Sequence, residues 1–149
     1  MMQRTSRLSI FFKGADTEFG VFYPKRCLVA VFLNLADADR AKKELHSAGR
    51  ADEDVISAAG EEAVEFAQYH LLNDGLRGVL MTGLSRMFGT EAAYTDMDLA
   101  AARKGAAFVA VRCPTKDSKQ EAWEVLKSAK PLAARYYSGG GIEHLAGEY

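Results

Sequence analysis

Two short stretches of this chain nearly repeat one another: Leu28-Val29-Ala30-Val31 and Phe108-Val109-Ala110-Val111. Each is a run rich in β-branched residues that reads as a buried strand. Each is followed by an aspartate, Asp37 or Asp117, and then by a helical pattern. In the first copy that pattern runs through Ala41, Leu45, Ser47 and Ala48; in the second, through Ala122, Leu126, Ser128 and Ala129. One strand-turn-helix unit written twice restricts the fold more than any other feature does.

The rest of the chain fits around the repeat. Residues 1–25 lie outside it, as an aromatic arm or as a hairpin of Leu8–Phe12 with Phe19–Tyr23. Residues 26–59 form a first βαβ half. It holds a strand at Cys27–Leu33, a helix at Ala38–Ala48 capped by Asp37, and a strand at Val55–Ala59. Residues 60–105 form an inserted helical segment. Residues 106–137 form a second half, with a strand at Ala106–Cys113, a helix at Asp117–Lys130 stopped by Pro131, and a strand at Leu132–Tyr137. Residues 138–149 read as a flexible joint, Ser138-Gly139-Gly140-Gly141, and a short tail. Two βαβ halves predict a single α+β domain with a ferredoxin-like, four-stranded antiparallel sheet. The repeat strands should be antiparallel neighbours at its centre, with Val29 opposite Val111 and Cys27 opposite Cys113.

Composition narrows the function classes. The 149 residues carry a formal net charge of −1, which argues against nucleic acid or a membrane surface held by bulk electrostatics. No stretch approaches the ~20 apolar residues of a membrane helix, and no signal peptide is visible. Two cysteines make no disulfide framework, so a reducing cytoplasm is expected, with both thiols as small buried hydrophobes.

Leu28-Val29-Ala30-Val31-Phe32, the run Asp37-Ala38-Asp39-Arg40-Ala41, Asp54-Val55-Ile56-Ser57 and Arg103-Lys104-Gly105-Ala106-Ala107-Phe108-Val109-Ala110-Val111 together resemble the bacterial general-stress, or heat-induced stress, protein domain. The likeness covers roughly residues 26–130. It implies a ferredoxin-like fold and a link to stress, and it implies no enzymatic activity. Met97-Asp98-Leu99-Ala100 departs from the Tyr-rich acidic helix of that family, and the N-terminal arm lies outside the likeness.

Few side-chain sets suggest chemistry. Lys104–Val111 resembles the RNP1 pattern of an RNA-recognition motif, but Ala106 and Val111 stand where it requires aromatics. Without them a sheet lacks its base-stacking surface. Neither cysteine has the base and orienter of a catalytic thiol. His70 lies near Glu65 and Asp74 on an acidic helix, too few ligands for a metal, so no metal or other cofactor is expected. The glycine run could form an anion nest, though a linker is the simpler reading. Arg135, Tyr136 and Tyr137 combine a cation with two polar-tipped aromatics and, with Arg112 and His70, are the candidates for a ligand site or interface. Leu76, Val79, Leu80, Leu84, Met87 and Phe88 recur at helical spacing. Gly75, Gly78 and Gly83 would let a second backbone approach, so this stripe is the candidate helix of a homodimer. Three functions remain: a non-enzymatic stress-linked domain acting through self-association or a small ligand; a small-molecule enzyme with a pocket between sheet and insert; and RNA binding.

Overall fold

A computed structural model describes residues 7–11, 16–18, 21–23, 25–65 and 100–147. The fold is α+β, built on a five-stranded antiparallel sheet. A short helix α1 (Arg7–Phe11) and a two-stranded ribbon, β1 (Asp16–Glu18) with β2 (Val21–Tyr23), precede it. Then come β3 (Cys27–Phe32), α2 (Leu35–Ser47), a single 3₁₀ turn (Asp52–Asp54) and β4 (Val55–Ala59). The second half supplies β5 (Ala107–Arg112), α3 (Lys116–Ser128), β6 (Ala133–Ser138) and β7 (Gly141–Ala146). The sheet order is β4-β5-β3-β6-β7.

The two near-identical stretches are the neighbours β3 and β5, and they run antiparallel. Their register differs by one residue from the expected one. Val29 faces Ala110, and Cys27 faces Arg112. A one-residue shift moves side chains to the other side of a sheet. Cys27 and Cys113 therefore lie in different layers, each as a free thiol.

Alternation gives the sheet two faces. On one, Leu28, Ala30, Phe32, Val109, Val111, Cys113 and Tyr136 pack against Ala38, Ala41 and Leu45 of α2 and Ala122 and Leu126 of α3. Burying one such aliphatic side chain contributes about 1.5–3 kcal/mol, so this layer dominates the core. On the other, Leu8 and Phe11 of α1 cover Cys27, Ile56, Ala58 and Ala110, with Val29 packed alongside. Leu8 and Phe11 are one helical turn apart, which brings both onto one side of α1. The hairpin alternative therefore does not form: Arg7–Phe11 is a helix that packs its apolar side chains on the sheet, and β2 pairs instead with Asp16–Glu18.

Both long helices start earlier than expected: α2 begins at Leu35, before the Asp37 expected to cap it, and α3 at Lys116, one residue before Asp117. Asn34 caps α2, its Oδ1 accepting from the Asp37 amide at 2.9 Å. Thr115 caps α3 through a reciprocal capping box with Ser118. Asp37 and Asp117 sit in the first turns, where a carboxylate still suits the helix dipole.

The fifth strand comes from the region expected to be linker and tail. Ser138 pairs with Gly141, so Gly139 and Gly140 are the two central residues of a hairpin turn, not a joint. Ser138 Oγ donates to the Gly141 carbonyl at 2.7 Å and accepts from the Gly140 amide at 3.2 Å. Lys119 of α3 then ties β7 down: its Nζ lies 2.5 Å from Glu143 Oε1 and 5.4 Å from the centre of the Tyr136 ring.

Gly60 follows β4 in the helical stretch 60–65, which meets the stretch 100–103 backbone to backbone. A Cβ on Gly60 would sit 2.5 Å from the Ala102 carbonyl oxygen and 2.6 Å from that of Ala106. At the end of α3, Lys130 holds φ 54°, a left-handed conformation that costs a residue with a Cβ about 1–2 kcal/mol. Opposite outcomes are expected at these two sites. Gly60→Ala lowers stability by about 1–3 kcal/mol through overpacking. Lys130→Gly raises it by about 0.5–1 kcal/mol, the relief of φ less the entropy that glycine adds to the unfolded chain. Urea titration of both variants measures the two signs.

Candidate functional site

The face of the sheet turned away from α2 and α3 carries the chemistry. The register lines up one row across it: Ile56 faces Ala110, Ala110 faces Val29, Val29 faces Arg135, and Arg135 faces His144. Neighbouring strands stand about 4.8 Å apart, so three apolar positions lead within about 15 Å to a cation. Ile56, Ala110 and Val29 lie in the layer beneath α1. Arg135 is 2% exposed, the largest fully buried side chain among the described residues. Its Nε donates to Tyr137 Oη at 3.3 Å. Tyr137, two residues along β6, is on the same face and also buried. A guanidinium stays charged at any ordinary pH and holds its donors in a plane that matches a carboxylate or phosphate.

The expected site residues divide into three groups. Arg135 and Tyr137 are brought together. Tyr136, next in sequence, points to the opposite face, where its hydroxyl donates to the Cys113 carbonyl at 2.7 Å. That hydroxyl is part of the helix-side core, and burial raises its pKa. The tyrosine pair therefore does not line one pocket. Arg112 shares the face of Arg135 but is engaged at the sheet margin. It donates to the carbonyls of Phe11 and, at 2.8 Å, of Glu53, and lies 3.9 Å from Asp54 Oδ1. Its guanidinium also stands 4.3 Å from the centre of the Phe11 ring. It is a clamp on α1 rather than a ligand group. His70 and the stripe Leu76, Val79, Leu80, Leu84, Met87 and Phe88 lie outside the described residues.

His144 was missed as a neighbour of Arg135. The signal that could have found it is the alternation Ile142-Glu143-His144 after a two-glycine turn, which is a hairpin pattern. The RNP1-like run also takes its place. Phe108 packs with Ala101, Ala106, Val31 and Ala133, and Ala110 is covered by α1. The surface on which an RNA-recognition motif stacks bases is occupied here by the chain's own residues.

Both thiols are poor nucleophiles at neutral pH. Burial pushes Cys27 up to about 12, with Cys113 adding to the rise and Arg112 opposing it. Burial likewise pushes Cys113 up to about 11, against the pull of Arg50. Among the described residues no group of three His, Cys, Asp or Glu side chains could hold a metal ion, and no helix is long and apolar enough to cross a membrane.

The thiols make stability depend on pH in a fixed direction. Unfolded, each ionises near its ordinary value of 9.0; folded, each keeps its proton until about 11 or 12. Above pH 9 the unfolded chain releases protons that the folded chain retains, so stability falls as pH rises. The urea midpoint should hold steady from pH 7 to 8.5 and decline toward pH 11, and a Cys27→Ala/Cys113→Ala double variant should decline less. Comparison of the chain with known protein families, with curated proteins and with solved structures finds no match.

Proposed function

We propose that the chain is a non-enzymatic, stress-associated domain of ferredoxin-like arrangement that binds a small anionic ligand on the sheet face carrying Arg135. The arrangement is supported by the order β4-β5-β3-β6 with α2 and α3 on one face, to which β7 adds an edge strand. The link to stress rests on the resemblance of residues 26–130.

The observation that carries the ligand reading is a guanidinium 2% exposed in a row of apolar side chains. Taking a cation out of water costs several kcal/mol, so its position has to be matched by negative charge or dipoles. Tyr137 Oη supplies one dipole beside it. A carboxylate or phosphate is the class of group that the planar donors of a guanidinium recognise. The enzyme reading is weakened by the same arrangement. The two tyrosines stand on opposite faces, the thiols are held protonated, and Arg112 is engaged in the fold.

The test is a thermal-shift series with benzoate, octanoate, phosphate and a nucleotide, each set against sodium chloride. At a hundredfold excess over Kd a ligand specific to the folded chain stabilises it by about 2.7 kcal/mol. For a chain of this length that is a rise in Tm of about 5–10 °C. At least one anion should produce it, Arg135→Lys should reduce it, and Arg135→Met should remove it. No shift from any anion, or an undiminished shift in Arg135→Met, overturns the proposal.

A further inference from the structure

We propose that three exposed leucines at one end of the sheet form a self-complementary surface, on which a second copy of this chain docks about a two-fold axis. The inference is independent of the reading of Arg135.

Of the four large apolar side chains exposed among the described residues, three lie at this end: Leu33, 66% exposed, Leu35, 41%, and Leu132, 43%. The pairing of β3 with β6 brings them there. Val31 faces Ala133, Leu33 directly follows β3, and Leu132 directly precedes β6. Neighbouring strands stand about 4.8 Å apart, so these two leucines leave the sheet side by side. Leu35 opens α2 two residues after Leu33. Single exposed leucines are ordinary on a protein surface, whereas several at one spot mark an interaction surface.

The backbone under the patch is fixed. Asn34, between Leu33 and Leu35, caps α2 through its side chain, and its carbonyl accepts from the Ala38 amide at 3.3 Å. The Leu132 amide donates to the Val31 carbonyl at 2.7 Å. Gly147, at φ 64°, sets its backbone against the Leu132 carbonyl and leaves no room there for a Cβ. Leucines presented in this way lose little backbone freedom when they are covered.

The charges beside the leucines point to a second copy as the occupant. Along the chain and across the two strands the order is Asp37, Leu35, Leu33, Leu132, Lys130. Asp37 lies in the first turn of α2, and Lys130 is an exposed residue just beyond α3. The Asp37 contact with Arg40, at 3.3 Å, is a surface pair that contributes little by itself. Reversing the order sets leucine against leucine and acid against base. A two-fold axis at Leu33 performs that reversal. It places Leu35 against Leu132 of the second copy, and Asp37 against its Lys130. An isologous interface requires this reciprocity, in which one position meets another and the second meets the first. The patch is small, so the dimer is a reversible one.

Sedimentation equilibrium of the full chain, from micromolar to millimolar concentration, reads the association. It should show a monomer–dimer equilibrium. Leu33→Ser and Leu132→Ser should each raise the dissociation constant by about tenfold or more. Lys130→Asp sets like charges together and should raise it by about tenfold, aspartate being among the residues that tolerate a left-handed backbone. Adding Asp37→Lys to that variant should restore the dimer, a recovery that damage to the fold would not give. Circular dichroism confirms that each variant is folded, and the charge exchange keeps the test open should a leucine variant fail to fold. A monomer at every concentration, a dimer indifferent to both leucine variants, or a double charge variant that does not recover overturns the proposal.

Discussion

The pairing of β3 with β5 decides everything else about the molecule. With Val29 set against Ala110, the odd-numbered residues of β3 face one way and the even-numbered ones the other. That places Leu28, Ala30 and Phe32 beneath the two long helices, and Cys27 and Val29 in the layer with Leu8 and Phe11. Because β6 pairs with the opposite edge of β3, the same choice sends Tyr136 to the helices and Arg135 to the other layer. Displacing β3 by one residue would put a guanidinium among the leucines of α2 and α3.

The two faces do different work. The helix side is the larger layer, mostly aliphatic and buried. The other side is floored by small residues, Ala58, Ala110 and Ala133 with Cys27, and is covered in part by a helix of only five residues. Stability is concentrated in the first, and the buried charge lies in the second. The second face is nonetheless as fully buried as the first: Ala58, Ala133 and Arg135 are each 2% exposed.

How far this was legible in the sequence depended on what each residue had to decide. Strands β3 to β6 and the two long helices showed plainly, because β-branched runs and helical spacing are local signals. The register did not. β3 and β5 are buried on both faces, so Leu28-Val29-Ala30-Val31 and Phe108-Val109-Ala110-Val111 lack the polar alternation that would say which way each side chain points. The helix starts were misplaced because Asn34 and Asp37 are both good caps, and only the backbone distinguishes them. Ser138-Gly139-Gly140-Gly141 was read as a joint, although two glycines between paired strands are also a tight turn. The clamp of Arg112 on Phe11 joins residues 101 apart in sequence, and no spacing rule reaches that far. Arg135 and Tyr137 were recognisable as a pair worth attention. That Tyr136 belonged elsewhere followed only from the strand.

The contact at Gly60 has a consequence for how the chain could change length. The stretch that leaves the sheet after β4 and the one that returns to it before β5 touch at their bases, held by Gly60 against Ala102 and Ala106. Whatever lies between them starts and finishes at one anchored point. The entropy of closing such a loop grows only with the logarithm of its length. The entropic cost of closing the chain between 66 and 99 therefore depends only weakly on its length, so long as the glycine and its two alanine neighbours hold the bases together.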